Sequence, residues 1–327
     1  MCFPLLVSLA RKLSRKESAF LEPVSVIIVN FNAGHNLLEC VTSILDSGYP
    51  VEVVVVDNAS EDDSIDMVKT AWGEESQRLR IIRNKTNLGF AKACNIGSRK
   101  CIGNYLFFLN PDCVISAETI PALIEALENH PHAGMAGAML LNPDGSEQAG
   151  GRRTIPTPRR AFVRAFGLSR FKNRFPRLFS DFIMSHEPVP DTEIEVEAIS
   201  GACMMVPRKV YKEVGRLDEG YFMHVEDLDW CMRIRNKGYK ILFVPSAKVV
   251  HRKGACSQGR PVFVEWHKHL GMLRYYRKFF RQRYPDGLMI MVAAGVWVHF
   301  LIKAGSLALK NKKNERSKKI CTQTKLK

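Results

Sequence analysis

The sequence contains no cysteine pair of the Cys-X-X-Cys type, although nine cysteines are present among its 327 residues. Their irregular spacing is typical of reduced cysteines in a cytosolic protein and argues against a disulfide framework or a zinc knuckle. A Gly-X-Gly-X-X-Gly loop is also missing. The segment after the first apolar run is NFNAGHN, which has a single glycine, and a nicotinamide-dependent enzyme is therefore not predicted.

Acidic residues are scarce relative to basic ones. The chain has 33 Asp and Glu against 48 Lys and Arg, a formal net charge of +15. This excess implies an anionic partner. The basic residues concentrate in 152–177 and from Lys303 onward, and aromatic residues are not interleaved with them in the way that stacks nucleic-acid bases. We therefore expect no nucleic-acid partner and favour an anionic membrane surface.

No apolar run is long enough to be a secure membrane span. Residues 288–302 are apolar, but a spanning helix needs about 20 such residues. Both flanks are basic, and the positive-inside rule would keep both in the cytoplasm. We expect residues 271–327 to lie on or dip into the cytoplasmic face of the membrane, as a peripheral or monotopic protein does; a buried core helix is the alternative. Residues 1–23 do not read as a signal peptide and could be an amphipathic or an ordinary leader.

Strands and helices alternate from residue 24 to residue 141. This alternation predicts an α/β fold with a mainly parallel central sheet flanked by helices, within a domain over 24–270. Residues 151–192 are basic and contain proline, and they predict a partly mobile insertion. Residues 193–254 have a mixed pattern. One apolar stretch covers 198–206 there, and two short strands cover 240–244 and 248–251.

Polar side chains follow the predicted strands at the sheet edge where ligands bind in open α/β folds. Asn30 and Asn32 end the first strand, and Asp57 ends the second. Asp57 could hydrogen-bond a base or ribose, or it could form an Asx turn before the next helix. Asn87, Gly89 and Asn95 surround a helix start, which could be a weak phosphate cradle or simply a capped helix; Gly89 would permit close backbone approach.

Asn110-Pro111-Asp112 directly follows the buried run YLFFL. A carboxylate at the mouth of a buried strand can bind a hard divalent cation that bridges two phosphates, although an ordinary turn is the alternative. His251 ends a later predicted strand. A lone histidine is more often structural than a ligand, but with Asp112 it could complete a metal site whose remaining ligands are phosphate and water.

The segment HVEDLDWCMRIRNKG places three carboxylates in four positions, Glu226, Asp227 and Asp229. In a helix, Glu226, Asp229 and Arg233 share one face, and Asp227 points elsewhere. Acidic residues suit the positive end of a helix dipole, which explains one or two of them. The nearby aromatic residues, Trp230 among them, could wall a substrate site.

Taken together, these segments resemble the family-2 glycosyltransferases of the GT-A fold. The resemblance covers residues 24–254, through VSVIIVNFN, VVVVDNAS, NLGFAKACNIG, YLFFLNPD, ISGACMMV, GYFMHVEDLDWCMRIRNKGYKI and VVHRKG in that order. Within the family, the combination of Asn-Pro-Asp and an EDxDWCxR segment is similar to the rhamnosyltransferase-like branch of bacterial polysaccharide assembly.

The resemblance assigns roles to matching residues. Asp57 matches the aspartate that contacts the nucleotide base, and Asn30 and Asn32 lie in the loop that faces the nucleotide. The set expected to bind substrate is completed by Asn87, Gly89, Asn95, Asn110, Asp229 and Trp230. Residues 24–115 would then form the nucleotide-sugar half and 193–254 the acceptor half.

The resemblance also implies a metal and a base. Asp112 matches the metal-binding aspartate of the DxD motif, whose first carboxylate is here the amide of Asn110. His251 matches a histidine near the metal and diphosphate. Glu226-Asp227 matches the acidic pair that supplies the general base, and Asp227 is the favoured base. The expected cofactor is a divalent cation, Mg²⁺ or Mn²⁺.

The function implied is inverting sugar transfer from a nucleotide diphosphate donor, with L-rhamnose from dTDP-rhamnose as the best match, to a lipid-linked saccharide in cell-surface polysaccharide synthesis. The alternative is a catalytically inactive GT-A-like module that binds nucleotide sugar or scaffolds a membrane complex. A glycosidase with two carboxylates would leave the nucleotide-site segments unexplained, and a nucleotidyltransferase would want a basic, glycine-rich loop near the first strand.

Overall fold

The computed structural model describes residues 23–73, 77–165, 168–171, 174–175, 184–185, 187–252, 254 and 260–324. The strands are β1 (Val24–Asn30), β2 (Val51–Asp57), β3 (Leu79–Arg83), β4 (Tyr105–Leu109), β5 (Cys113–Ile115), β6 (Ala133–Leu141), β7 (Arg152–Arg153), β8 (Ile194–Val196), β9 (Ala198–Ile199), β10 (Cys203–Pro207) and β11 (Lys240–His251). The helices are α1 (His35–Leu45), α2 (Ser64–Trp72), α3 (Phe90–Ser98), α4 (Thr119–Asn129), α5 (Pro158–Ala165), α6 (Arg208–Val214), α7 (Glu226–Asn236), α8 (Pro261–Phe280) and α9 (Asp286–Thr324), with a 3₁₀ turn at Leu168–Phe171.

A nine-stranded sheet in the order β3-β2-β1-β4-β10-β6-β11-β5, with β8 also paired to β11, forms the centre of the molecule. Strands β3, β2, β1 and β4 are all parallel, and Asn30 pairs in register with Asp57. Strands β1, β2 and β4 consist mainly of Val, Ile, Leu and Phe because helices cover both faces of the sheet there, whereas the edge strand β3 has the sequence LRIIR and is largely unburied. The predicted parallel α/β core is therefore confirmed in this half.

The second half of the sheet is mixed. Strand β10 is antiparallel to both β4 and β6, and β11 is parallel to β6 but antiparallel to β5 and β8. The two strands predicted at 240–244 and 248–251 are one strand, since a register shift between Val244 and Lys248 accommodates Pro245 as a bulge. The apolar stretch predicted at 198–206 is instead two strands, separated by a turn at 200–202.

Successive residues of the central strands supply two cores, because side chains alternate across a sheet. Val26 and Ile28 of β1 belong to the core under α1, α2 and α4. Ile27 and Val29 belong to the opposite core, which α3, α6, α7 and α8 cover. Burial on both faces fixes the register of β1, so its polar end at Asn30 is held at one edge of the sheet.

The predicted insertion over 151–192 begins as strand β7, which pairs with β9, and continues into α5. Arg152 is buried there, with bonds of 2.8 and 3.1 Å to the carboxylate of Glu147. The mobility predicted for the insertion falls in part on residues outside the described ones. Residues 1–22 of the leader predicted over 1–23 also lie outside them.

The C-terminal helices form a hairpin on the side of the second core. Tyr275 and Tyr276 of α8 are buried in that core. Helix α9 carries a segment, Asp286–Leu309, with a mean hydropathy of 1.8 and none of its apolar window buried. The alternative of a buried core helix is therefore wrong. The segment is long and apolar enough to cross a membrane by length and composition, and it is longer than the run predicted from the sequence.

Candidate active site

The first group of polar residues lies at the carboxyl ends of β1 and β2. Asn30 is fully buried, and its side-chain amide donates to Asp57 Oδ1, Ser60 Oγ and Ser64 Oγ, each at 2.9 Å. Ser60 Oγ also donates to Asp57 Oδ1 at 2.5 Å, and Glu61 N–H donates to Asn32 Oδ1 at 2.8 Å. Asn32 has a positive φ of 52°. The strand ends are therefore tied into a rigid loop around the Asp57 carboxylate.

The segment before α3 forms the next wall of this loop. Asn58 Nδ2 donates to the Gly89 carbonyl at 3.2 Å, and Gly89 N–H donates to Asn87 Oδ1 at 2.9 Å. Gly89 has φ of 82°, and a Cβ there would lie 2.5 Å from the carbonyl oxygen of Phe222. Position 89 therefore requires a glycine, because a larger residue would clash with the segment that leads to α7.

A second group joins β4, β5 and β11. Asp112 and His251 are both buried, and His251 Nε2 lies 3.2 Å from Asp112 Oδ1. Gln148 Nε2 donates to the His251 carbonyl and to Asn142 Oδ1, both at 3.0 Å, which fixes the orientation of its amide. Gln148 Oε1 is then the acceptor at 2.7 Å from His251 Nδ1, so the proton of a neutral imidazole sits on Nδ1.

This tautomer leaves two electron-pair donors, His251 Nε2 and Asp112 Oδ1, facing each other. Asp112 Oδ1 is buried and has no hydrogen-bond partner among the described residues. A shared cation would relieve this arrangement, and a carboxylate with an imidazole suits Mn²⁺ or Mg²⁺. The residues present therefore fit a divalent cation. Cys113 is within reach of both atoms. However, a cysteine sulfur is a soft ligand that suits zinc or copper, whereas Mg²⁺ and Mn²⁺ favour oxygen and imidazole ligands.

The third group is the acidic start of α7. Asp227 Oδ2 forms an ion pair with Arg153 and accepts from Gly201 N–H at 3.0 Å, while Oδ1 accepts from Leu228 N–H at 2.8 Å. Burial opposes ionisation, but the Arg153 guanidinium outweighs it, and the pKa of Asp227 is lowered. Asp227 is therefore an ionised carboxylate at neutral pH.

Glu226 behaves in the opposite way. Burial, and then the charge of Asp227, raise the pKa of Glu226 to about 8. Its Oε2 is buried without a hydrogen-bond partner among the described residues. At neutral pH Glu226 therefore carries a proton. The two adjacent carboxyls have environments that push their pKa values apart, a pattern that separates acid from base roles.

The turn at 200–202 connects the second and third groups. Gly201 N–H binds Asp227, and the carbonyl of the next residue, Ala202, accepts from Asn110 N–H at 3.0 Å and from Cys113 Sγ at 3.6 Å. A Cβ at Gly201 would lie 3.2 Å from Asp227 Cβ. The Asn-Pro-Asp turn and the carboxylate of Asp227 are thus anchored to consecutive residues of one turn.

A strained backbone precedes the acidic pair. His224 and Val225 have φ of 62° and 74°, and a β-branched residue with positive φ is a genuine outlier. Gly271 of α8 packs against this turn, since a Cβ there would lie 3.1 Å from Val225 Cγ2 and 3.2 Å from His224 O. Such strain persists only where the surrounding structure holds it, and it clusters at active sites.

Three residues expected to bind substrate have other partners. The Asn95 amide binds the backbone of Leu217 and the Glu219 carboxylate. Asp229 is fully buried and binds Arg233 and Lys278, both at 2.6 Å. Trp230 is also fully buried; it donates to the Gly215 carbonyl at 3.1 Å and packs edge-on against Phe108 and Tyr211. These contacts hold α3 against residues 217–219, and they hold α7 against α8 and the end of α6.

Comparison with known proteins places the chain in a family. A family model described as "Glycosyl transferase family 2" matches residues 25–215, more than half of the chain, and one described as "Glycosyl transferase family group 2" matches residues 147–308. The chain is a family-2 glycosyltransferase. The family prediction from the sequence is confirmed, and so is the prediction that the protein is an enzyme.

The glycosyltransferase is also similar to named rhamnosyltransferases. It is 30% identical over 247 residues to the N-acetylglucosaminyl-diphospho-decaprenol L-rhamnosyltransferase of Mycobacterium tuberculosis, covering 72% of this chain and 77% of that one. It is 25% identical over 150 residues to the rhamnosyltransferase WbbL of Escherichia coli K12, covering 45% of this chain and 52% of the relative. The predicted rhamnosyltransferase-like character is confirmed.

Solved structures share the GT-A fold with this glycosyltransferase. The mannosyltransferase PcManGT of Pyrobaculum calidifontis, in complex with GDP-mannose and Mn²⁺, matches with a TM-score of 0.55 at 17% identity, over 99% of this chain and 87% of that one. GalNAc-T7 with UDP, GalNAc and Mn²⁺ matches with a TM-score of 0.52 at 19% identity, over 71% of this chain and 44% of that one. At these identities the likeness shows the fold alone.

Three residues at the site were missed by sequence reasoning. Gln148 and Arg153 come from the loop and short strand after β6, and Gly201 from the turn before β10. Gln148 and Arg153 lie in or just before a basic segment in which no pattern distinguishes them. Only Gly201 stood in a segment already singled out, ISGACMMV, where a glycine before an apolar strand marks a close backbone approach.

Proposed function

We propose that this glycosyltransferase transfers a sugar from a nucleotide diphosphate donor to a hydroxyl of a lipid-linked saccharide, inverting the anomeric configuration. The observation that carries the proposal is the shared anchoring of the Asn110–Asp112 turn and Asp227 to the turn at 200–202. This shared anchoring supports a single centre in which Asp112 would bind a cation at the donor and Asp227 would face the acceptor.

Asn32 and Asp57 bind the nucleoside of the donor in this proposal, because they belong to a preorganised polar loop at the switch between β1 and its neighbours. Asn30 is fully buried and holds the Asp57 carboxylate in place. Asn87 and Gly89 line the adjoining wall, and Asn110 lies beside the diphosphate. A divalent cation held by Asp112 and His251 would stabilise the charge on the leaving diphosphate.

Asp227 is the general base of the proposed reaction. Its lowered pKa keeps it ionised, so it can take the proton of the acceptor hydroxyl as that oxygen attacks the anomeric carbon. A single displacement on the face opposite the leaving group inverts the configuration. Arg153 orients the carboxylate and would stay paired with it until the proton arrives. Glu226 is neutral beside it, which avoids a second negative charge in the same buried site.

The donor is dTDP-L-rhamnose and the acceptor a polyprenyl-diphosphate-linked sugar in this proposal. Support comes from the Mycobacterium tuberculosis relative, whose name specifies L-rhamnose and N-acetylglucosaminyl-diphospho-decaprenol. The product would enter cell-surface polysaccharide synthesis. UDP-linked hexoses are the main competing donors, because nothing in the residues of the site selects one sugar.

The location of the reaction is proposed to be the cytoplasmic face of the membrane. Residues 24–270 form the catalytic domain, with its donor half over 24–115 and its acceptor half over 193–254, and residues 271–327 associate with the membrane. Exposed apolar side chains on α8 and α9, among them Trp266, Met291 and Leu301, support this placement.

The test is turnover of a panel of nucleotide sugars, dTDP-rhamnose included, in membranes that contain lipid-linked acceptors, with and without EDTA. We expect one donor to release its nucleotide diphosphate, and EDTA or Asp112→Ala to abolish the release. Turnover that resists EDTA would contradict the metal site. No turnover with any donor, in folded protein that still binds a nucleotide, would contradict the proposed reaction.

A further inference from the structure

A groove of about 520 Å³ lies between α8 and α9, and the proposed reaction does not use it. Its lining combines two kinds of side chain. Three residues are apolar and three are cationic: Leu270, Leu273, Trp297, Arg274, Arg277 and Lys278. A groove with both properties suits a molecule that has an anionic group next to an alkyl chain.

Two of the three cations already have acidic partners. Arg274 binds Asp218 through bonds of 2.9 and 3.0 Å, and Lys278 binds Asp218 at 2.7 Å and Asp229 at 2.6 Å. Partial burial would raise the pKa of Asp218, but these bonds hold it at about 2, so the carboxylate stays charged. Arg277 has no acidic partner among the described residues. The groove therefore keeps one positive charge, and Arg277 carries it.

The apolar wall continues onto an exposed surface. Leu270 is 37% exposed and Trp266, one turn earlier in α8, is 40% exposed. Trp266 packs on Trp297 with ring centroids 5.2 Å apart. A free phosphate would bind Arg277 but leave this wall in water. A headgroup with attached acyl chains would cover it, and Trp side chains favour the boundary between water and acyl chains.

We propose that this groove binds one anionic phospholipid, with the phosphate against Arg277 and the glycerol and first acyl carbons against Leu270, Leu273 and Trp297. The inference rests on the proposed membrane association of α8 and α9, and adds a specific headgroup contact to it. A lipid bound there would also orient the enzyme on the membrane. Lys278 joins the groove to Asp229 of α7, so a lipid held there fixes the distance between the membrane and the acidic start of α7.

The test measures binding of the full chain to phosphatidylcholine vesicles and to vesicles of phosphatidylcholine and phosphatidylglycerol in a four-to-one ratio. We expect Arg277→Gln to weaken binding to the mixed vesicles about ten-fold, since it removes both a charge near the membrane surface and a charge-assisted bond to the phosphate. Arg277→Lys should keep most of that binding. Arg281→Gln is the matched control: it removes the same charge one turn later, outside the groove, and should cost only about two- to five-fold.

The outcomes separate the groove from membrane association in general. Equal losses in Arg277→Gln and Arg281→Gln would mean diffuse surface electrostatics and would overturn the groove. Competition by millimolar glycerol 1-phosphate in solution would make it a soluble-phosphate site and overturn the lipid. Failure of the wild type to bind either vesicle would overturn the proposed membrane association and the groove with it. Melting temperatures equal to that of the wild type would show that a loss of vesicle binding in a variant does not come from unfolding.

Discussion

Glu226 and Asp227 differ in protonation state because their individual contacts differ. Both carboxyls are buried at the start of one helix, yet among the described residues only Asp227 forms an ion pair with an arginine. That partner lowers the pKa of Asp227, and the resulting charge helps to raise the pKa of Glu226 to about 8. The sequence shows two adjacent acids, and the third residue that makes them different is 74 positions away in Arg153.

The raised pKa of Glu226 predicts that the stability of the fold decreases as the pH rises from the ordinary glutamate pKa to about 8. The unfolded chain releases this proton near the ordinary glutamate pKa, whereas the folded protein keeps it until about pH 8. Folding therefore binds a proton between those values, and the free energy of unfolding falls as pH rises through that range. Glu226→Gln keeps the neutral form, so it should be more stable than the wild type at pH 9 by about 1 kcal/mol or more and nearly equal to it at pH 5. Thermal melts at the two pH values check this; an equal difference at both would contradict the raised pKa.

In the proposed metal site, Gln148 would set the metal affinity through the tautomer of His251. Gln148→Leu removes the acceptor at Nδ1, and loss of such a partner typically weakens metal binding about 10- to 100-fold. The Mn²⁺ concentration that gives half-maximal turnover should rise by that factor. Gln148→Glu still accepts from Nδ1, but its second oxygen replaces the amide that donates to the His251 carbonyl and to Asn142 Oδ1. It should therefore bind Mn²⁺ less tightly than the wild type and more tightly than Gln148→Leu. If both variants need the same Mn²⁺ concentration as the wild type, His251 is not a ligand.

At the scale of elements, one face of helix α8 packs against the acidic start of α7 and the residues just before it. His267 stacks on Phe222 with centroids 4.5 Å apart, Gly271 touches the His224–Val225 turn, and Lys278 binds Asp229. These three α8 residues are spaced four and seven apart, which is one stripe of a helix. The other side of α8 meets α9. Helix α8 thus contacts both the acidic start of α7 and helix α9, which is proposed to meet the membrane.

Gly271→Ala tests whether α8 positions the His224–Val225 turn and the acidic pair that follows it. The added methyl group must displace Val225 or His224, so we expect kcat to fall about ten-fold or more, with a smaller change in the donor KM. Overpacking should also cost about 1–3 kcal/mol of stability. Gly295→Ala in α9 is the control, because nothing lies within 4 Å of its added Cβ. Equal kinetics in the two variants would show that the contact with α8 does not matter for the turn.

The whole molecule divides into parts that the sequence could and could not predict. The sequence predicted that Asp57 and Asp112 lie at the same edge of the sheet. Each follows a buried apolar run, and the carboxyl ends of parallel strands meet at one edge. The faces of α3 and α7 were not predictable. Asn95 and Trp230 bind elements that return from distant parts of the chain, and helical spacing alone does not say which face is buried. Pairings such as Gln148 with His251 depend on the same long-range packing.

The hairpin of α8 and α9 predicts how the whole molecule partitions between membrane and solution. A chain that ends after Tyr284 lacks α9 and its exposed apolar side chains, so it should move from the membrane pellet to the soluble fraction. Retention of activity on a soluble acceptor analogue would show that the catalytic domain stays folded. A truncated protein that still pellets completely with membranes would mean that α9 is not what attaches the enzyme.

The most direct test of the account is single-turnover transfer by Asp227→Asn, with donor binding measured on the same protein. We expect donor affinity close to that of the wild type, because Asp227 faces the acceptor in this account, and a transfer rate lower by about 10²- to 10⁴-fold. A folded variant that binds the donor and transfers sugar at the wild-type rate would contradict the assignment of Asp227 as the general base, and with it the proposed mechanism.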